Sequence, residues 1–133
     1  MSVLVDTSVW SAAFRRKDGA DPKLKGALER LIDDFQAKII GPIRQEILSG
    51  VPEKKQFESL KQLLKAFPDI PITTEEYESA AEMLHICRKK GIQGSHIDFL
   101  ICAVATQHGL EIFTLDKDFR SYAQALDIKL HGH

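Results

Sequence analysis

The chain lacks most of the features that settle a protein's class at a glance. Only two cysteines, Cys87 and Cys102, occur in 133 residues. Their spacing matches neither a metal site nor a redox pair. Both fall in apolar helical stretches and read as reduced core thiols. Charge of either sign is not in excess: the formal net charge is -1. That excludes a strongly basic coat protein for nucleic acid, but not an enzyme that touches a few phosphates. No apolar run approaches the roughly 20 residues needed to span a membrane. The first residues lack a basic patch followed by a long apolar stretch, so no signal peptide is expected. Repeats, linkers and low-complexity segments are missing too. What is left is a composition with 44% hydrophobic and 28% charged residues, as in soluble globular proteins. The length suits a single domain over residues 1–133, and a cytoplasmic location is expected.

Apolar periodicity orders the chain into alternating strands and helices. Val3 to Val5 reads as a short buried strand closed by Asp6, followed by a helix through Trp10 and Phe14 that Ser8 could cap. Asp21 and Pro22 mark the start of a second helix. Lys38 to Ile40 reads as a strand, and "PIRQEILSG" as a helix ending at Gly50. A helix is expected over Glu53 to Phe67, and "PDIPI" as a turn plus an edge segment. A long helix over Thr74 to Lys90, capped by Thr74, stops at Gly91. Ser95 opens the next helix and Gly109 closes it. "LEIFTLD" reads as a strand reaching nearly to Asp116, then Phe119 to Leu126 as a helix and Ile128 to Leu130 as a last strand. Short apolar strands without polar alternation, separated by helices, predict an α/β fold: a three-layer α/β/α arrangement around a short, mostly parallel sheet. Ligands of such sheets lie at the carboxyl ends of the strands.

Acidic residues gather at those ends. Asp6 closes the first strand, and Glu46 lies in the helix after the second. Asp98 lies in the first turn of the helix before the third strand. Asp116 follows that strand, with Asp118 two residues later. Each has a bland reading: Asp6 as a helix cap, Glu46 as a solvent-facing position, Asp98 as an ordinary first-turn acid, Asp116 and Asp118 as turn residues. Their common placement carries the other reading. Clustered carboxylates repel one another and raise one another's pKa values, and a divalent cation offsets that repulsion. Hard oxygen donors, without thiolate or a matched histidine pair, favour Mg²⁺ or Mn²⁺ over zinc. Such an ion suits phosphodiester hydrolysis. The basic clusters Arg15–Arg16–Lys17, Lys23 with Lys25, Lys54–Lys55 and Arg88–Lys89–Lys90 read singly as surface charge. Arg15, Arg16 and Arg44, close to the motif segments, are candidate phosphate contacts. Trp10 and Phe14 read as core, or as part of a groove for a partner peptide.

The stretches "VLVDTSVW", "IIGPIRQEILSG" and "GSHIDFLICAVATQHGLEIFTLDKDF" resemble the PIN-domain family. Within it they resemble the VapC-like ribonuclease toxins of type II toxin–antitoxin pairs. The resemblance implies catalytic acids at Asp6, Glu46, Asp98 and Asp116, with Asp6, Asp98 and Asp116 holding the metal ion. It implies supporting roles for Thr7, Ser8, Thr114 and Asp118. It further implies a Mg²⁺- or Mn²⁺-dependent endoribonuclease that cuts single-stranded RNA regions, is held by a cognate antitoxin and forms a homodimer. The helices around 51–91 would form an arm for dimer and antitoxin contacts. Other readings are a PIN nuclease of housekeeping RNA processing, a nuclease acting on DNA, and a non-catalytic module that binds RNA or protein. An aspartyl-phosphate phosphotransferase fits poorly, because too little chain follows Asp118 to supply its remaining groups.

Overall fold

The computed structural model describes residues 1–14 and 21–132. The Arg15–Arg16–Lys17 cluster and His133 lie outside the described residues. The order of elements is β1 (Val3–Val5), α1 (Thr7–Phe14), α2 (Pro22–Asp33), β2 (Ala37–Lys38), α3 (Gly41–Ser49), α4 (Lys54–Leu64), α5 (Thr74–Lys89), α6 (His96–His108), β3 (Glu111–Phe113) and α7 (Asp118–Ala125). The architecture is α/β, with a three-stranded parallel sheet in the order β2-β1-β3 between helical layers. On one side α1 packs on α2 and α3, and α3 on α4; on the other α5 packs on α6, and α6 on β3.

β1 is the central strand, and Val3, Leu4 and Val5 are all buried. Complete burial of such a side chain contributes about 1.5–3 kcal/mol, which explains a strand without polar alternation. From β1 the chain moves to one flank to form β2, then returns across β1 to form β3 on the other. The strand order thus reverses at β1, and the crevice this creates opens beyond its carboxyl end. Asp6 stands there.

Local signals explain the helix boundaries. Asp21 accepts the Lys23 N–H at 3.0 Å and Pro22 occupies the first turn of α2. Ser95 accepts the Asp98 N–H at 3.1 Å to start α6, and Gly109, left-handed at φ 65°, ends it. α6 is apolar on every side from Phe99 to Ala105, which is why it lies buried against the sheet and not at the surface. Trp10 is buried, and its indole N–H donates to Val5 O at 3.1 Å. It therefore belongs to the core, with Phe67 edge-on at 5.3 Å. Cys87 and Cys102 are free, buried thiols, and burial pushes the pKa of each up.

Several boundaries differ from the sequence expectation: β2 is Ala37–Lys38 and not Lys38–Ile40, Ser8 lies within α1 instead of capping it, and four further differences have a physical reason. The cap of α5 is Thr73, not Thr74. Thr73 and Glu76 form a capping box in which Glu76 Oε1 accepts both the Thr73 N–H and hydroxyl at 3.0 Å. α4 ends at Leu64 because Arg44 draws the chain end away, donating to Leu64 O and to Phe67 O while its Nε pairs with Asp69 at 2.9 Å. β3 stops at Phe113, where side-chain hydroxyls replace the ladder. The expected last strand is reduced to one parallel bridge, Ile112 with Leu130. The "PDIPI" segment does make the expected edge contact, Asp69 bridging to Ile39.

The capping box gives a direct test. Thr73→Ala removes one donor to the nearly buried Glu76 carboxylate and one acceptor for its backbone N–H. It is expected to lower unfolding stability by about 1 kcal/mol, read from urea denaturation. A change below a few tenths would show that α5 does not depend on this cap.

Candidate metal centre at the strand ends

Asp6 is positioned by the sheet itself. Its N–H donates to Phe113 O at 2.8 Å, one step beyond the Val5–Phe113 pair. The next residue of the third strand segment, Thr114, thus lies opposite Asp6 and donates to Asp6 Oδ2 at 2.8 Å. Ser8 donates to the same oxygen at 2.8 Å, and its own oxygen accepts the Leu115 N–H at 3.0 Å. Thr114 Oγ1 also accepts the Asp116 N–H at 3.0 Å. A compact hydroxyl network therefore fixes Asp6 and carries the chain from β3 toward Asp116.

Asp116 in turn lies two residues before α7. Its Oδ1 accepts the Asp118 N–H at 2.9 Å, an aspartate-stabilised turn that projects both carboxylates near each other. Asp98, in the first turn of α6, completes the group. Asp98, Asp116 and Asp118 each offer a carboxylate oxygen within 4.8 Å of the others, the one such acidic group among the described residues. Asp118, expected only in support, is thus drawn into the centre. Asp6 is not within that set; the Ser8 and Thr114 hydroxyls hold its Oδ2. Its charge still reaches Asp98. Glu46 is exposed and apart from the group, tied to the strand end through Thr7, whose hydroxyl donates to Glu46 Oε1 at 2.9 Å. Arg44 is engaged by Asp69, Leu64 and Phe67 and is not free to grip phosphate.

Burial raises the pKa of Asp98 above the ordinary carboxylate value, and the charges of Asp116 and Asp6 push the same way. Hydrogen bonds from Tyr122 and Ser95 oppose the rise. Tyr122 donates to Asp98 Oδ2 at 2.5 Å. Burial and that bond push the phenol's own pKa up, so the hydroxyl remains a donor. Tyr122 was not evident from the sequence. The only trace of it is its place four residues after Asp118, on the same face of α7.

A group of three close carboxylates, partly open to solvent, is a poor arrangement for a protein alone. As a donor set of hard oxygens it fits a divalent cation.

The comparisons agree with the fold. Residues 3–125 match the PIN domain family model, and the chain belongs to that family. Within it, the chain is 30% identical to the ribonuclease VapC11 of Mycobacterium tuberculosis over 131 residues, covering 96% of each. It therefore falls in the VapC group. Its fold is similar to FitAcB of Neisseria gonorrhoeae, with a TM-score of 0.78 at 19% identity, covering 98% and 96% of the two chains. A toxin–antitoxin complex of Klebsiella pneumoniae gives a TM-score of 0.68 at 24% identity, covering 89% and 90%.

The raised Asp98 pKa has a consequence for metal-free protein. The folded state binds this proton more tightly than the unfolded state does. The contribution to stability is thus complete below the unfolded carboxylate pKa and is lost as pH rises through the folded one. Asp98→Asn keeps an acceptor for Tyr122 and removes the charge. In chelator-treated protein it is expected to raise the melting temperature at about pH 7, with the gain fading toward about pH 4. Thermal melts across that range decide it; a variant no more stable than the parent at neutral pH would contradict the assignment.

Proposed function

We propose that this protein is a Mg²⁺- or Mn²⁺-dependent endoribonuclease, the toxin of a toxin–antitoxin pair, which hydrolyses phosphodiester bonds in single-stranded RNA regions in the cytoplasm. The observation that carries the reading is the convergence of Asp98, Asp116 and Asp118 beside Asp6, at the carboxyl edge of a parallel sheet in a VapC-group chain. The ribonuclease name of the Mycobacterium tuberculosis relative supports the activity. The Klebsiella pneumoniae neighbour supports an antitoxin partner. A homodimer, with the helices around 51–91 as a contact arm, belongs to the same proposal.

Asp98 and Asp116 would hold the ion, with Asp6 or Asp118 adding a further oxygen. When bound, the ion supplies a water of lowered pKa and stabilises charge on the phosphate. The chain's own residues do the rest. Ser8 and Thr114 keep the Asp6 carboxylate in one orientation at the floor of the site. Thr7 holds Glu46 at the exposed side, where its carboxylate can accept a proton from an approaching water. Thr114 links the two halves, donating to Asp6 while accepting the Asp116 N–H. An acidic rim of this kind repels an RNA backbone, so substrate entry depends on the cation that neutralises it.

Purified antitoxin-free protein, incubated with total cellular RNA, is expected to yield discrete fragments with Mg²⁺ or Mn²⁺ and none with chelator. Asp6→Asn and Asp116→Asn are each expected to slow cleavage about 100-fold or more. Intact RNA under every condition, or cleavage indifferent to chelator, would overturn the proposal.

A further inference from the structure

α7 brings two different groups to the centre. Asp118, in its first turn, is one of the three converging carboxylates. Tyr122, one turn later, reaches across to α6 and donates to Asp98 Oδ2. The ring is buried and held from two sides. Phe99 of α6 lies at 5.0 Å between ring centroids and Phe119 of α7 at 5.1 Å, nearly edge-on. Gly94, two residues before α6, makes room for the hydroxyl. A Cβ there would meet the Tyr122 hydroxyl oxygen at 2.4 Å and two ring carbons at 2.8 Å. The glycine is needed for close approach, not for backbone freedom. With its ring clamped, the phenol offers its hydrogen from one fixed point, and the Asp98 carboxylate can swing away only by breaking that bond.

We propose that Tyr122 is a positioning residue, which sets the placement of Asp98 relative to Asp116 and Asp118 and so builds the divalent-cation site. It touches neither substrate nor ion; it acts through Asp98. One helix thereby delivers Asp118 and the strut that aims its partner on α6, so the spacing between α6 and α7 is fixed at the level of the donor atoms. The inference rests on the metal-dependent reading of the site.

The test uses Tyr122→Phe, which keeps the packed ring and removes only the hydroxyl. Two readouts are needed, neither of them activity. Crystal structures of metal-free parent and variant at one pH report the Asp98 carboxylate; it is expected to leave its position or occupy more than one rotamer in the variant. Calorimetric titration with Mn²⁺ reports the site, and affinity is expected to fall about 10- to 100-fold. Gly94→Ala, which displaces the hydroxyl sterically, is expected to weaken Mn²⁺ binding in the same way. An unmoved Asp98 in Tyr122→Phe, or Mn²⁺ affinity equal to the parent's, would reduce Tyr122 to a core residue. If the parent itself binds no Mn²⁺, the metal reading fails, while the Asp98 position still decides whether Tyr122 places it.

Discussion

The parallel register of β1 on β3 is the constraint on which the rest depends. Val3, Leu4 and Val5 pair in turn with Glu111, Ile112 and Phe113. The ladder ends with Asp6 N–H on Phe113 O, and the next two side chains, Asp6 and Thr114, then meet. A slip of one residue would turn every side chain of the strand to the opposite face. It would separate this pair and bring Asp6 into the core. Val3, Leu4 and Val5 are buried on both faces, so it is the cost of drawing the Asp6 carboxylate into that apolar ladder that opposes the slip. The apolar strand and the polar site are therefore one device: the hydrophobic register decides which oxygen meets which hydroxyl.

The same economy governs how the chain leaves the sheet. After β1, Trp10 returns an N–H to Val5 O, so α1 starts from a fixed point. After β3, the hydroxyls of Ser8 and Thr114 accept the backbone N–H groups of Leu115 and Asp116 that a longer strand would have paired. Backbone donors released from the ladder take other partners, and here they find them in side chains that also hold a carboxylate. Polar residues that close the fold and those that shape the site are the same residues.

That dual use sets how much could be read from sequence. Features carried by local chemistry were legible: Pro22 and Asp21 at a helix start, Ser95 and Gly109 at the ends of α6, the buried β-branched run of β1. So was the order of elements, and with it the arrival of Asp6, Asp98 and Asp116 at one edge. Features that depend on contacts between distant residues were not. A strand extending toward Asp116 is a fair reading of "LEIFTLD", until Thr114 turns to Asp6 across 108 positions of sequence. Thr73 and Thr74 are both adequate caps, and the choice falls to Thr73 because Glu76 lies three residues on. Arg44 resembles a phosphate contact by its place beside Glu46, yet it ties α3 to the end of α4. Tyr122 looks like any aromatic of an amphipathic helix, because only the fold brings Asp98 to it.

The carboxylates also differ in a way their shared chemistry hides. Asp6 receives two hydroxyl donors on one oxygen. Asp98 receives one phenol and is pressed by burial and by the charges of Asp116 and Asp6. Glu46 is open to solvent with Thr7 as its donor. The site thus runs from a floor where an acid is firmly held, through a middle where charge is disfavoured, to an exposed mouth. Repulsion is concentrated where Asp98, Asp116 and Asp118 approach one another, and that is also where a cation would gain most by binding. A cation bound there would offset both the burial and the neighbouring charges that disfavour an ionised Asp98. The donors around it serve to keep the acids from relieving that repulsion by moving apart.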